Sequence, residues 1–519
     1  MLMNTILLIN INSKQLLRSF CFALTLIVLS SCDLDESPPF LDQSIYQDPQ
    51  SAEAARDGVF AALASYDAQE RRLFVENGFS GLFVTRRNGN RLTSQWNANL
   101  FKLKPNDDTD TQGTWSGLYS FITRANTVIE NSMYDINTTD QDQIRINAVV
   151  GQAYFARALA YFKLTRLWGD IPLWLNVPDE NNVNKAVSTS KEVYAQIIVD
   201  ATLASQLITD ENATVGYPKG YAANMLLAKV YMTLATNPSL QEDGKSEMDY
   251  WNLAYVEAKK VEGQYALVDD YATLFDGKNE NTSESIFELQ ISKDAANSQM
   301  GRNYSPWKFK AGAAFGWFSV AADVYDTHAA TYPSDPRLAS TYLHEYNRID
   351  NGSPVRVYPT NASRNNFGSA FPYFFKYAEK DTSNSNQFNS QNIIVFRYAD
   401  LLLMLAEISN ELQKPDALDY VTTVLQRVGQ VPHAGYLGDQ DSFRNAIMQE
   451  YRFELLGEGD DAHNNRRRGY AYFLEHTINA HNNNPNFKAS VDIQLNDVES
   501  EVMFLQIPLN EKNTNNLIN

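Results

Sequence analysis

Along much of this chain apolar residues return at helical spacing, with alanine and glycine on the same faces. Asp48-Pro49 offers an N-cap followed by proline in the first turn, where its missing N–H costs nothing. Ala55, Val59, Ala62, Leu63 and Tyr66 then mark a first amphipathic helix running to about Ala68. The pattern recurs at Trp115, Tyr119, Ile122, Asn126 and Ile129, then at Val150, Tyr154, Tyr161, Leu164 and Trp168. Ile197, Ala201, Ala204 and Leu207 continue it, as do Tyr221, Met225, Ala228 and Tyr231. Later helices are expected around 251–261, 398–412, 417–428 and 443–456. Small residues let helices approach closely, and consecutive amphipathic helices bury their faces only against their neighbours. The expectation is a mainly α fold: a tetratricopeptide-like scaffold of helix pairs, although no strict ~34-residue consensus repeats.

Residues 292–390 break this pattern, being rich in Gly, Ser, Asn, Pro and aromatics and lacking helical period. So long a stretch in a folded protein reads as a large irregular loop insertion, and such insertions are usually functional. Strand signals are few, the best being 285–291 and 502–507. The chain is therefore divided into 51–291, a helical scaffold with an early loop insertion, and 292–519, a second region with its own loop insertion and closing helices.

The N-terminus has a separate logic. Lys14 and Arg18 precede an apolar run from Phe20 to Leu29, which ends in Ser30-Ser31-Cys32. Ten apolar residues are too few to cross a bilayer, which takes ~20, so residues 1–31 read as a signal peptide. Small residues leading into a cysteine are the pattern of a bacterial lipoprotein signal, and Cys32 is expected to carry thioether-linked and palmitate-type acyl chains. The other cysteine, Cys21, would leave with the signal, so a lipid on Cys32 accounts for the unpaired thiol of an exported protein. More than one acyl chain gives durable anchoring. Residues 32–50, polar and proline-bearing, read as an extended tether.

Charge excludes several functions. The chain carries −19, and loss of Lys14 and Arg18 takes it to −21, which argues against nucleic acid and against a broad footprint on anionic lipid. No His-Glu-x-x-His pair, Cys/His cluster or phosphate-cradling glycine loop is present. Gly78-Phe79-Ser80-Gly81 falls short of a nucleophile elbow because Leu82 stands where glycine is required. Asn106, Asp108 and Asp110 imitate a calcium loop, yet Thr111 replaces its turn glycine and Gly117 its bidentate glutamate. No metal, cofactor or catalytic group is expected, although a carboxylate pair for glycan cleavage can be assembled from distant parts of any chain. The high aromatic content, 12%, suits sugar binding.

The segment Gly151-Gln152-Ala153-Tyr154-Phe155-Ala156-Arg157 through Arg166-Leu167-Trp168-Gly169-Asp170-Ile171-Pro172 resembles the most recognisable stretch of the SusD/RagB family, outer-membrane nutrient-binding lipoproteins of Bacteroidetes. Further resemblances follow in the family's order: Glu284-x-Ile286-Phe287-Glu288, Asp335-Pro336-Arg337, Arg397-Tyr398-Ala399-Asp400, Glu450-x-Arg452-x-Glu454 with Glu458-Gly459, and Ile507-Pro508. They cover nearly the whole chain after Cys32. Asp460-Asp461 and Arg466-Arg467-Arg468 depart from the family's arginine and Asp-Leu-Arg-Arg, and Tyr451 stands where arginine is common, which puts the local ion pairing in question.

The resemblance implies a lipid-anchored binding protein on the outer face of the outer membrane. Its partner would be a SusC-like TonB-dependent barrel and its ligand an oligosaccharide or, in some members, a peptide. The acidic Asp33-Leu34-Asp35-Glu36 resembles an export signal to that face. In the family, ligand contacts come from loops outside the repeats, here about 70–110 and 292–390. Candidate contacts are Arg86, Arg87, Trp96, Asn97 and Asn99 in the first, and Tyr304, Trp307, Phe315 and Trp317 in the second. Trp96 and Trp307 lead because polar residues flank them, whereas Trp115, Trp168 and Trp251 sit in helix patterns and are expected in the core.

Overall fold

Asp48 caps the first helix, Pro49–Leu63, its carboxylate accepting from Ser51 N at 2.9 Å. The helix stops short of the expected Ala68 because Ser65 turns extended and its Oγ caps Ala68 N. A π-helical turn, Tyr66–Arg71, and the helix Arg72–Ser80 follow. A computed structural model describes residues 46–85, 109–209, 214–295, 297–358, 371–480, 483 and 499–518. Tyr46–Asn519 form one unit.

The scaffold is a stack of helices, each packed on its neighbours in the chain. Thr109–Asn131 packs on Gln141–Trp168, that on Ser190–Leu207, that on Gly220–Ala235, and that in turn on Glu247–Val261. The capping box expected of a good helix start is present at Thr189 and Glu192. Gln141–Trp168 is the spine. From Ile146 to Trp168 only Arg166 reaches solvent appreciably, and Gly169 ends the helix with a φ of +75°. A Cβ at Gly151 would lie 2.8 Å from Ile208 Cγ1 and 2.9 Å from Leu207 Cβ, so glycine is what lets the next helix end so close. Arg157 on the spine binds Asp200 through two hydrogen bonds of 2.7 and 2.8 Å, and Asn126 through a third of 2.9 Å. One side chain thus ties three helices together.

After Glu247–Val261 the stack jumps over more than a hundred residues. Its next helix is Tyr398–Glu411, which packs on Glu247–Val261 and on Ala417–Arg427 and Gln440–Leu455. The insertion between them is less irregular than its sequence suggests. Strand Ser285–Leu289 pairs antiparallel with Ile393–Arg397, across the expected boundary at 291/292. Phe83–Thr85, Phe318–Val320, Tyr373–Phe374 and Tyr342–Leu343 form a four-stranded sheet in that order. The expected strand at 502–507 is absent. Leu505 N instead donates to Leu167 O, and Trp168 Nε1 to Gln506 O, so this stretch caps the C-terminus of the spine.

Candidate functional site

The insertion is locked to the scaffold by a buried ion cluster, assembled from the motifs that carried the resemblance. Arg337 donates to Asp335, Glu450 and Glu454 at 2.6–2.8 Å. Arg397 reaches Glu284, Glu454 and Glu458 at 2.5–2.8 Å, Lys376 joins Glu458 at 2.7 Å, and Arg427 joins Glu284 and Glu454. Burial alone would raise the Glu454 carboxyl, but Arg427, Arg397 and Arg337 hold it well below the usual range.

The departures from the family's pattern are accommodated by a second set of pairs. Asp460 accepts from Arg166 at 2.7 Å and Lys229 at 2.8 Å, while Lys229 also pairs with Asp400 at 2.7 Å. Arg467 and Arg468 converge on Glu407, and Arg468 also meets Glu411 at 2.8 Å. Burial pushes the Glu407 carboxyl up, and these arginines more than reverse it, to about 2.

Beyond this clamp, the segment 299–317 carries the candidate aromatics. It is held from below by Glu70, a buried residue of the π-helical turn. Glu70 accepts from Gln299 N at 2.7 Å and from Asn303 Nδ2 at 2.6 Å, while burial raises its carboxyl to about 7. Backbone bonds from Phe315 N to Arg302 O and from Trp317 N to Asn303 O, both 2.9 Å, fold the segment into a hairpin-like turn. Gly316 sits at its close approach, with a φ of +53° and room for no side chain: a Cβ there would be 2.6 Å from Tyr373 Cε1 and 3.0 Å from Pro306 Cα.

The four candidate aromatics divide into two kinds. Tyr304 is fully buried, ringed by Phe74, Phe318, Phe374 and Tyr377 at 5.2–5.9 Å, with Asn77 donating to its hydroxyl. Trp317 is 5% exposed and packs edge-on against Phe74. The expectation that these two face a ligand is corrected: both are core, because their ring surfaces are spent on neighbours. Phe315 is 45% exposed, stacked on Trp317 at 5.5 Å with Arg302 over its ring at 4.9 Å. Trp307 is the most open, 56% exposed. Its carbonyl accepts from Tyr346 Oη at 2.9 Å, and Arg348 lies over its ring at 4.4 Å. The next residue, Lys308, has a φ of +61°, with its carbonyl accepting from Ile349 N at 2.8 Å.

The two loop regions expected to supply contacts meet through the sheet, in which Thr85 is the register partner of Phe318. Arg86, Arg87, Trp96, Asn97, Asn99 and Cys32 lie outside the described residues. Trp115, Trp168 and Trp251 are core, as their helix positions imply. Ser80 is buried and donates to Asn77 O at 2.6 Å, a structural rather than nucleophilic role. The sequence reading missed Lys308, Arg348 and Asp350 around Trp307; the Arg348-Ile349-Asp350 stretch had no aromatic to draw notice.

A cavity of about 810 Å³ lies elsewhere, between the spine, Ser190–Leu207, Gly220–Ala235 and the C-terminal stretch. Arg166, Lys229 and Asp460 on its wall are paired with one another. None of its lining residues belongs to the aromatic patch.

Two family profiles match the chain. One, described as starch-binding and associating with the outer membrane, matches residues 40–232, and the other, described as the SusD family, matches residues 251–519. A SusD-like protein of Formosa agariphila is 27% identical over 476 residues, covering 82% of this chain and 85% of the relative. The crystal structure of a SusD homologue from Bacteroides thetaiotaomicron superposes with a TM-score of 0.73 at 20% identity, covering 91% of this chain and 96% of the other. A structure named as a laminarin-binding SusD-like protein superposes with a TM-score of 0.65 at 21% identity, covering 91% and 98%.

Proposed function

Because this chain belongs to the SusD family, we propose that it binds a glycan at the cell surface and delivers it to a SusC-like TonB-dependent transporter in the outer membrane. The observation that carries the reading is Trp307, a 56% exposed indole on a turn braced from both sides. A flat aromatic face with hydrogen-bonding neighbours is what a pyranose ring stacks on, and such binding needs no catalytic group. A laminarin-binding neighbour with the same fold supports a glycan as the ligand class.

Among the described residues no helix is long and apolar enough to cross a membrane. In this reading the acyl chains on Cys32 hold the protein at the outer face, and the expected tether of 32–50 is shortened to the residues before Tyr46, because Asp48 already caps the helix that begins at Pro49. In the same reading Trp96, Asn97, Asn99, Arg86 and Arg87, which lie outside the described residues, supply further ligand contacts.

Affinity electrophoresis of the chain carrying Cys32→Ser in polysaccharide gels tests the reading. A shift should appear with some glycan, and Trp307→Ala should weaken binding about tenfold or more, the usual cost of truncating a central aromatic anchor. Full binding by both Trp307→Ala and Trp96→Ala would remove the proposed site. Release of new reducing ends would make the protein an enzyme. Calorimetric binding of peptides but not glycans would make it a peptide receptor.

A further inference from the structure

The aromatic turn is cationic in an acidic protein. Between Asp294 and Asp323 lie 28 residues without an acid, yet with Arg302, Lys308 and Lys310. At the chain's own frequency, 62 acids in 519 residues, about three would be expected there. Lys310 is buried, with its ammonium on Ala311 O and Asn386 O, and contributes at most a field. Lys308 and Arg348 flank the exposed indole directly, at 5.7 and 4.4 Å from its centroid. They share one carboxylate: Asp350 takes two bonds from Arg348, 3.0 and 2.7 Å, and lies 3.5 Å from Lys308. That leaves one positive charge in excess beside Trp307 among the described residues. It is offered on a backbone turned to positive φ at Lys308, a conformation that costs energy in a non-glycine residue and tends to persist at functional sites.

A neutral sugar can accept hydrogen bonds from these side chains but draws no net Coulomb attraction from the excess charge. A ring bearing a negative group and stacked on Trp307 would bring that group within the ~8 Å over which charges act at physiological salt. Resting on the glycan reading above, we propose that the Trp307 platform selects glycans whose rings carry a carboxylate or a sulfate, with Lys308 and Arg348 as the counter-charges.

The test uses matched polymers on the full chain from residue 32 carrying Cys32→Ser. These are polygalacturonate against its methyl ester, a sulfated galactan against its desulfated form, and laminarin as a neutral glucan. The charged member of one pair should bind about tenfold more tightly than its neutral counterpart, and the gain should shrink as salt is raised. Which pair responds distinguishes carboxylate from sulfate. Lys308→Gln should weaken that binding roughly two- to fivefold, and Asp350→Asn should tighten it by a similar factor, the size expected of an exposed ion pair. Both side chains are partly exposed, so neither change threatens folding. Equal affinity for charged and neutral forms, or variants that leave affinity unchanged or move it in the same direction, would overturn the proposal. If a neutral glucan binds and Trp307→Ala abolishes it, the glycan reading stands and this inference alone fails. If no polysaccharide binds, both fail.

Discussion

Glu70 places a titrating group directly beneath the Trp307 turn, with both oxygens occupied by Gln299 N and Asn303 Nδ2. Burial raises its carboxyl from 4.5 to about 7, so between those values the folded protein holds a proton that the unfolded chain has lost. Stability from this group is present below pH 4.5 and is lost as pH rises through about 7, by at most about 3 kcal/mol. Denaturant unfolding at a series of pH values should show that decline, and Glu70→Gln should flatten it. Glu407 works in the opposite sense: its carboxyl is held at about 2, so its contribution is present above pH 4.5 and disappears as pH falls through about 2. At Arg397 the charge is buried and shared by Glu284, Glu454 and Glu458. Arg397→Met should destabilise by roughly 3–5 kcal/mol, because three buried carboxylates lose a partner. Arg145→Gln, which breaks an exposed pair with Glu53, should cost about 0–1 kcal/mol in the same measurement.

Elements end where a local group competes with the helix or strand. Ser65 ends the first helix early by offering its hydroxyl to a new one, and the chain restarts as the π-helical turn that carries Glu70. Such turns recur at functional sites because they re-aim one side chain. The stretch 502–507, Val-Met-Phe-Leu-Gln-Ile, is an apolar run that suggests a strand, yet its first residues close the helix Glu499–Met503 and it joins no sheet among the described residues. Its backbone satisfies the end of the spine helix instead, and Val502 and Leu505 are buried there. The turn bearing Trp307 depends on Gly316 in the same local way. Gly316→Ala should destabilise by about 1–3 kcal/mol, from the positive φ and the displaced Tyr373 ring. It should also weaken glycan binding, read by the midpoint of thermal unfolding and by affinity electrophoresis.

At the scale of the whole molecule, the helix stack is interrupted in sequence but not in space. The face of Glu247–Val261 left open by its chain predecessors is covered by Tyr398–Glu411. Strand Ser285–Leu289 finds its partner at Ile393–Arg397, and Glu284 finds its cations at Arg397 and Arg427. A fragment of residues 46–291 should therefore lack cooperative unfolding and bind a hydrophobic dye, whereas the intact 46–519 unit should not. Near-UV circular dichroism and dye fluorescence would check this, and a well-packed, cooperatively folding 46–291 fragment would make the boundary at 291 a real one.

The helices were legible from the sequence because burying one face of a helix imposes a period on the chain, and a cap such as Asp48 is short-range. The family was legible because the buried charges stand in short recognisable motifs: Arg337, Arg397 and Glu454 meet in one cluster, and Arg157 pairs with Asp200. Burial of individual aromatics was not legible. Tyr304 and Trp307 stand three residues apart in one polar stretch, and which of them is enclosed depends on Phe74, Phe318, Phe374 and Tyr377 arriving from distant segments. The small sheet was hidden for the same reason, since strands of two or three residues leave too little alternation to read and owe their existence to their partners. The residue types and helices are local properties of the chain; the exposed indole, its shared counter-ion and the buried glutamate beneath it exist only where remote segments meet.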